Sequence, residues 1–211
     1  MTRVALIGGT GDLGLGLGCR LAGSHEVIIG SRDAARALEA AKKVSSVSGA
    51  VVSGKNNAEA AAACDVAILT IPDLPTDDTL LSLKPSLQGK LVVSPIVPME
   101  FRDGLFYAKP SSRSAAEAVA TVLGTRVAAA FHNVPAARLM ESRTVLNYDV
   151  MVAAETREVF AEASELVSCI PKLRPLYAGP LSNSRTLESL TPTLLSVGKL
   201  NKIKTPSVKV V

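Results

Sequence analysis

The chain has 211 residues, 47% of them hydrophobic and 20% charged, which is enough for one large core or for one core with a small appended domain. Its net charge of +4 would attract a polyanionic ligand, but aromatic residues make up only 3% and tryptophan is absent, so the stacking surfaces typical of single-stranded nucleic-acid binding are missing. No apolar run approaches the roughly 20 uncharged residues that span a bilayer, and we therefore expect a cytoplasmic protein with neither nucleic-acid nor membrane partners.

Strand and helix patterns alternate along the first 131 residues. Apolar runs bounded by turn residues predict buried strands at 3–7, 25–29, 50–53, 65–71, 90–97 and 126–131. Amphipathic or alanine-rich segments predict helices at 13–22, 33–47, 57–63 and 114–123. This alternation predicts an α/β fold of the Rossmann type, in which helices cover both faces of a doubly wound parallel sheet.

The pattern changes beyond residue 147. Residues 148–154 predict one more strand, 156–169 an amphipathic helix, and 181–200 a last helix that is kinked or restarted at Pro192. We therefore predict a Rossmann domain over residues 1–147 and a small C-terminal helical or α+β domain over residues 148–211. Since no low-complexity linker separates them, the second domain should pack closely on the first.

A glycine-rich turn follows the first predicted strand and has the pattern G-x-G-x-x-G. In this context Gly9 allows a tight turn, Gly11 lets the backbone approach a pyrophosphate, and Gly14 lets the helix pack on the strand. Free N–H groups at the start of the helix favour phosphate binding. Although a ligand-free turn is the alternative, the strand–turn–helix context favours a dinucleotide site, which the intervening residues would also line: Thr10, Asp12 and Leu13.

The end of the second strand discriminates between NAD and NADP. NAD enzymes place a carboxylate there to hold the ribose 2′-hydroxyl, whereas this chain has Ser31 and Arg32. Arg32 can bind a 2′-phosphate through charge-assisted hydrogen bonds, Ser31 adds a hydroxyl donor, and Arg36 lies one helical turn further on. Asp33 is the discordant charge, and we expect it to cap the following helix. The pattern predicts NADP(H).

The carboxyl ends of the later strands carry few titratable groups. No Ser/His/Asp or Cys/His set is present, and the three cysteines lie outside metal-ligand spacings, so we predict neither a catalytic acid–base residue nor a metal. Transfer of a hydride between two bound rings needs positioning rather than such groups. His132 could orient a ligand, or its ring could be satisfied by the backbone. The remaining candidate wall residues are Thr70, Ile71, Pro72, Ser94 and Pro95.

Eight segments of the chain resemble the coenzyme F420H2:NADP+ oxidoreductases, and together they run essentially from end to end. The last two lie outside the general dinucleotide-binding pattern and are therefore the more specific. The segments are VALIGGTGDLG (4–14), IGSR (29–32), LTIP (69–72), VSPIVP (93–98), RSAAE (113–117), HNVPAAR (132–138), AGPLSNSR (178–185) and ESLTP (188–192).

The resemblance implies an enzyme that transfers a hydride reversibly between reduced coenzyme F420 and NADP+. It also implies a homodimer, a C-terminal domain that closes the deazaflavin cleft, and the cofactors NADP(H) and coenzyme F420. A basic chain suits a deazaflavin whose tail carries a phosphate and several glutamates. Residues 10–13, Ser31 and Arg32 match the family's NADP-binding positions, and Arg36 stands where lysine is common. The other positions matched to cofactor contacts are Ser94, Pro95, Met99, His132, Ala136 and Ser207.

One segment departs from the family pattern. After Pro72 the family tends to carry a bulky aromatic residue and a helix, whereas this chain reads DLPTDD at 73–78.

Two alternatives stay open beside the main prediction. The first is an NADPH-dependent ferric or flavin reductase domain, against which the missing transmembrane segment counts. The second is a non-catalytic NADPH-sensing module, against which the matching C-terminal segments count.

Overall fold

The main sheet of the computed structural model, which describes residues 1–141 and 144–211, contains eight strands. These are β1 (Arg3–Ile7), β2 (Glu26–Ser31), β3 (Ser53–Asn56), β4 (Val66–Leu69), β5 (Leu91–Ser94), β8 (Arg126–Ala129), β9 (Asp149–Ala154) and β10 (Arg174–Tyr177). The strands β6 (Met99–Arg102) and β7 (Leu105–Ala108) form a separate hairpin. The order across the main sheet is β10-β9-β8-β5-β4-β1-β2-β3. All neighbours are parallel except β8 and β9, so the predicted parallel sheet contains one antiparallel step, beyond which β9 and β10 pair in parallel.

Helices cover both faces of this sheet, as the Rossmann prediction requires. They are α1 (Asp12–Leu21), α2 (Ala34–Ser48), α3 (Asn57–Ala63), α4 (Asp77–Leu87), α5 (Ala115–Leu123), α6 (Ala136–Met140), α7 (Arg157–Ser168) and α8 (Ser184–Leu200). Because successive side chains of a strand point to opposite faces, β1 buries Val4 and Leu6 in one core and Ala5 and Ile7 in the other. The first core receives α1, α2 and α7, and the second receives α3, α4 and α5.

Several predicted boundaries are wrong at the edges of the fold. The third strand lies at Ser53–Asn56 rather than 50–53, and Val51 is 92% exposed. This strand pairs with only one neighbour, so its SGKN sequence needs no apolar alternation. The structure adds α4, α6, β10 and the β6–β7 hairpin, which the sequence analysis missed. Prolines at positions 85 and 175 disguise α4 and β10.

The C-terminal residues continue the same sheet before they form a helix. β9 and β10 extend the edge beyond β8, and α8 then packs against α5 and β7. The helix runs through Pro192 without a restart, after a 3-10 turn at Leu181–Asn183. The division of the chain at residue 147 stays a prediction.

Candidate functional site

A cleft of about 950 Å³ lies at the carboxyl ends of the parallel strands. This is where ligands bind in open α/β sheets. The predicted strands at 65–71, 90–97 and 126–131 end earlier than expected, at Leu69, Ser94 and Ala129, so the residues after them lie in loops that border the cleft. Fourteen of the predicted site residues line it: Thr10, Gly11, Asp12, Leu13, Ser31, Arg32, Arg36, Thr70, Ile71, Pro72, Pro95, Met99, His132 and Ala136. Four others are not part of this lining: Gly9, Gly14, Ser94 and Ser207.

The three glycines of the turn occupy different environments. A side chain on Gly9 would lie 2.7 Å from the Leu6 carbonyl oxygen, and one on Gly14 would lie 2.5 Å from the Gly9 carbonyl oxygen. Gly11 has no atom of the described residues within 4 Å of the same position, because it faces the open cleft. Gly11 is also the N-cap of α1 and brings no side chain to the first N–H groups of that helix. These N–H groups therefore face a space that a phosphate can enter.

Cationic side chains lie at the end of β2. Arg32 and Arg36 are exposed on the cleft wall, and neither forms a salt bridge with any residue in 1–141 or 144–211. Asp33 accepts a hydrogen bond from the Ala35 N–H at 2.8 Å, which confirms that it caps α2. The Ser31 hydroxyl oxygen accepts from the Asp33 N–H at 3.2 Å and keeps its own proton for a ligand. The two guanidinium groups bring two positive charges to this end of the cleft, beside the carboxylates of Asp12 and Asp33.

The opposite end of the cleft is apolar and contains His132. The side chain is only 7% exposed, and among the described residues neither ring nitrogen has a hydrogen-bond partner. Burial lowers the pKa of His132 to about 4, so the imidazole is neutral near pH 7. Its backbone is held instead, because the Thr191 hydroxyl donates to the His132 carbonyl at 2.7 Å. The expected alternative, in which the backbone satisfies the ring, is not what the structure has.

An unusual backbone conformation precedes His132. The preceding residue, Phe131, is buried and has a φ of 68°, in the left-handed region that residues other than glycine rarely adopt. Behind this turn the Ser94 hydroxyl is fully buried and has no partner within the described part of the chain. Of these two unpaired groups the His132 ring lines the cleft, and it is the one that a polar ligand there would satisfy.

The C-terminal tail closes one side of the cleft. Lys204, Thr205 and Pro206 line it, and the Ser207 hydroxyl donates to the Asn133 carbonyl at 2.7 Å. Further along, the Val210 N–H donates to the Asp149 carboxylate at 2.6 Å. The Arg174 guanidinium beside Asp149 lowers the pKa of this carboxyl to about 2, which keeps it ionised. Sequence analysis missed residues 204–206, whose role depends on where the tail docks.

Two curated relatives match nearly the whole chain. The F420-dependent NADP reductase of Methanothermobacter marburgensis is 39% identical, over 99% of this chain and 97% of that protein. The F420-dependent NADP reductase of Methanocaldococcus jannaschii is 36% identical, again over 99% and 97%. This chain belongs to that family.

Two further comparisons agree with the assignment. Residues 3–98 match the family model described as NADP oxidoreductase, coenzyme F420-dependent. A crystal structure from Arthrobacter sp. FB24, described provisionally as an F420-dependent NADP reductase, superposes with a TM-score of 0.85 over 100% of both chains. At 19% identity this structure supports the Rossmann-type fold alone.

The two most specific segments of the family resemblance, residues 178–185 and 188–192, both contact the matched segment at residues 113–117. The Glu188 carboxylate of α8 accepts hydrogen bonds from the N–H groups of Ala115 and Ala116, at 2.8 and 3.1 Å. The Ser184 hydroxyl donates to the Ser114 hydroxyl at 2.7 Å. Burial raises the pKa of Glu188 to about 6. A carboxylate from α8 thus occupies the positive end of α5 and fixes α8 on the second core.

The segment that departs from the family pattern also lies at the cleft. Residues 73–76 line its wall, and α4 starts immediately afterwards with Thr76 as its N-cap. The Asp73 carboxylate pairs with Lys109, beyond the hairpin. The helix that the family pattern expects is therefore present, although no aromatic residue precedes it.

Arg20 holds the loop after His132 in place, although nothing in the sequence analysis pointed to it. Its guanidinium donates to the carbonyls of Arg138, Leu139, Glu141 and Thr144 at 3.0, 2.8, 2.6 and 3.0 Å.

No group of metal-binding side chains and no helix long and apolar enough to cross a bilayer occurs in residues 1–141 and 144–211.

Proposed function

We propose that this chain transfers a hydride reversibly between reduced coenzyme F420 and NADP+. The observation that carries the proposal is one cleft with two different ends. One end has an open glycine turn and two arginines, and the other has a buried imidazole that no described residue hydrogen-bonds. The first end suits a dinucleotide with a 2′-phosphate, and the second suits a flat ring with a polar edge. Membership of the F420-dependent NADP reductase family supports the same substrate pair.

The glycine-turn end would hold NADP(H). The open backbone at Gly11 and the first N–H groups of α1 would bind the pyrophosphate. Arg32, Arg36 and Ser31 would bind the 2′-phosphate. Each charge-assisted hydrogen bond contributes about 1.5–3 kcal/mol, which is enough to make NADPH bind at least about tenfold more tightly than NADH.

The His132 end would hold the two reacting rings. When both substrates are bound, the nicotinamide and deazaflavin rings supply the hydride donor and acceptor. The neutral His132 imidazole can donate one hydrogen bond and accept another, so it can orient a ring edge without adding charge. The other proposed contact residues of this region are Thr70, Ile71, Pro72, Ser94, Pro95, Met99, Ala136 and Ser207.

The chain needs no acid–base residue for this reaction, because a hydride moves directly between two carbon atoms. What the protein must do is position both rings and exclude water. The apolar loops after β4, β5 and β8 and the docked C-terminal tail suit that task. We therefore assign His132 an orienting role and propose no catalytic residue.

We also propose that the enzyme is a cytoplasmic homodimer whose residues 148–211 close the deazaflavin cleft. The tail at 204–206 supports the closing role, since it lines the same cleft as the glycine turn. The cytoplasmic assignment rests on the three free cysteines, which suit a reducing compartment.

A comparison of electron acceptors tests the proposed reaction. The purified protein would be given NADPH as the electron donor in three separate reactions. The acceptor would be oxidised coenzyme F420 in the first, FMN in the second and a ferric chelate in the third. We expect rapid loss of the F420 absorbance, much slower reaction of the other two acceptors, and weak activity when NADH replaces NADPH. Faster reduction of FMN or ferric iron would favour the ferric or flavin reductase. Tight NADPH binding with no turnover of any acceptor would favour the sensing module.

A further inference from the structure

The β6–β7 hairpin leaves one strand edge open. Its other edge is closed by α8, where the Ser196 hydroxyl accepts from the Phe106 N–H and donates to the Phe106 carbonyl, both at 2.9 Å. Phe106 lies opposite Phe101 in the hairpin, so the N–H and C=O of Phe101 point away on the outer edge of β6. Among the described residues these two groups have no hydrogen-bond partner.

The same edge exposes an aromatic side chain. The Phe101 side chain is 58% exposed, although its ring packs on Phe106 with centroids 4.9 Å apart and lies beneath the Lys199 ammonium. Val197 and Leu200, at the end of the helix that supports the hairpin, and Ile203, just after it, are exposed as well. A two-stranded hairpin with a free edge and an exposed aromatic residue is only marginally stable on its own and can accept another strand.

We propose that β6 pairs antiparallel with β6 of a second copy of this chain, centred on Phe101, and that this pairing forms the dimer interface; the inference rests on the homodimer proposed above. In this register the outward N–H and C=O of Phe101 bond to the C=O and N–H of the same residue in the second copy. Glu100 of each chain then lies opposite Arg102 of the other, giving two ion pairs related by the two-fold axis.

Charge selects this register over its neighbours. A two-fold axis at Glu100 would place two carboxylates opposite each other, and one at Arg102 would place two guanidinium groups opposite each other. Like charges directly across a strand pair are destabilising. Among registers centred on residues 100–102, only the one at Phe101 avoids both repulsions.

The interface would also affect the cleft. Met99 begins β6 and lines the cleft wall, so pairing of the two hairpins would fix this wall in both subunits. The result is a four-stranded antiparallel sheet across the two-fold axis, in the order β7-β6-β6-β7. Such a sheet exceeds the three strands that are generally needed for independent stability.

Charge exchange at two positions tests the interface. The masses of the wild type, Glu100→Arg, Arg102→Glu and the double variant would be measured by light scattering over a dilution series, with circular dichroism to confirm folding. We expect the wild type and the double variant to be dimers, and each single variant to dissociate at least tenfold more readily. Mixing the two single variants should restore dimers, because the two arginines of one variant's β6 would then face the two glutamates of the other's. Glu155→Arg, on an exposed loop away from the hairpin, is the matched control.

The two levels of the proposal fail in different ways. A monomeric wild type at micromolar concentration would refute both the homodimer and the interface, while leaving the proposed hydride transfer untouched. A dimer that both single variants preserve would refute the β6 interface and place the dimer contact elsewhere. Single variants that dissociate but do not recombine on mixing would refute the register centred on Phe101.

Discussion

The two ends of the cleft are built in different ways. The end proposed to bind NADP(H) comes from one continuous stretch, β1 to the first turn of α2, in which β1 pairs directly with β2. A longer-range bond in this turn runs from the Gly8 N–H to Asn57 at 3.2 Å. The end proposed to bind the rings is assembled from distant segments, joined by bonds such as Arg20 to Leu139, Asn133 to Ser207 and Thr191 to His132. We therefore expect substitutions at the first end to change the affinity for NADP(H) alone. Substitutions at the second end should change how the two rings are positioned.

The largest effect is expected for Gly11→Val. The new side chain would occupy the space that the pyrophosphate needs, so binding of both NADPH and NADH should be lost. The protein should still fold, since Gly11 has a φ of −88° and no described neighbour within 4 Å. Calorimetry measures the affinity and thermal melting the stability. Gly23→Val, at a glycine with the same open surroundings outside the cleft, is the control and should bind normally. Normal NADPH affinity of the Gly11 variant would mean that the phosphates bind elsewhere.

Arg32→Ala should weaken NADPH binding by about ten- to a hundredfold and leave NADH binding almost unchanged. The lost charge-assisted bond contributes about 1.5–3 kcal/mol, and only NADPH carries the phosphate that uses it. Dissociation constants for both nucleotides measure the effect. Lys42→Ala, which removes an exposed charge further along α2, controls for the general loss of positive charge. An equal loss for both nucleotides would remove the assignment of Arg32 to the 2′-phosphate.

Arg20→Ala tests whether the ring end depends on long-range support. The variant frees four carbonyls of the loop that follows His132. We expect the KM for coenzyme F420 to rise several-fold and the unfolding free energy to fall by about 1–3 kcal/mol, because partly buried acceptors lose their donor. The Kd of NADPH should stay within about twofold, as the glycine turn is intact. A parallel loss of NADPH affinity would contradict the separation of the two ends.

His132→Ala should lower kcat only modestly. Because the pKa of His132 is about 4, the ring is already neutral from about pH 5 to about pH 8, and the ratio of wild-type to variant kcat should be constant there. The unfolded histidine titrates near 6.5, so the wild type should lose stability relative to the variant as the pH falls from 6.5 towards 4. A drop of several orders of magnitude with a bell-shaped pH profile would give His132 an acid–base role.

The same contrast explains how far the sequence alone predicts this molecule. The βαβ unit and the phosphate turn follow from local patterns, as does the Asp33 cap, because each depends on residues within a few positions. Arg20 and Glu188 had no local signal, since their partners lie about 70 or more residues away. Residues 204–206 had none either, because the tail that carries them is held by the bond from Ser207 to Asn133, 74 residues away. The hairpin was missed because its strands are half-exposed and lack the long apolar runs that indicated the equally short β4, β5 and β8. The strand β3 was misplaced because an edge strand needs no apolar alternation.

Direct transfer between two rings in one cleft is the central claim, and an isotope label tests it. NADPH carrying deuterium at the transferred position of nicotinamide C4 would be turned over with oxidised coenzyme F420 in ordinary water, and the reduced deazaflavin analysed by mass spectrometry and NMR. We expect the deuterium to appear on the deazaflavin ring without loss to solvent, because the rings meet in a site that excludes water. Unlabelled reduced deazaflavin, with the deuterium recovered in water, would contradict the account.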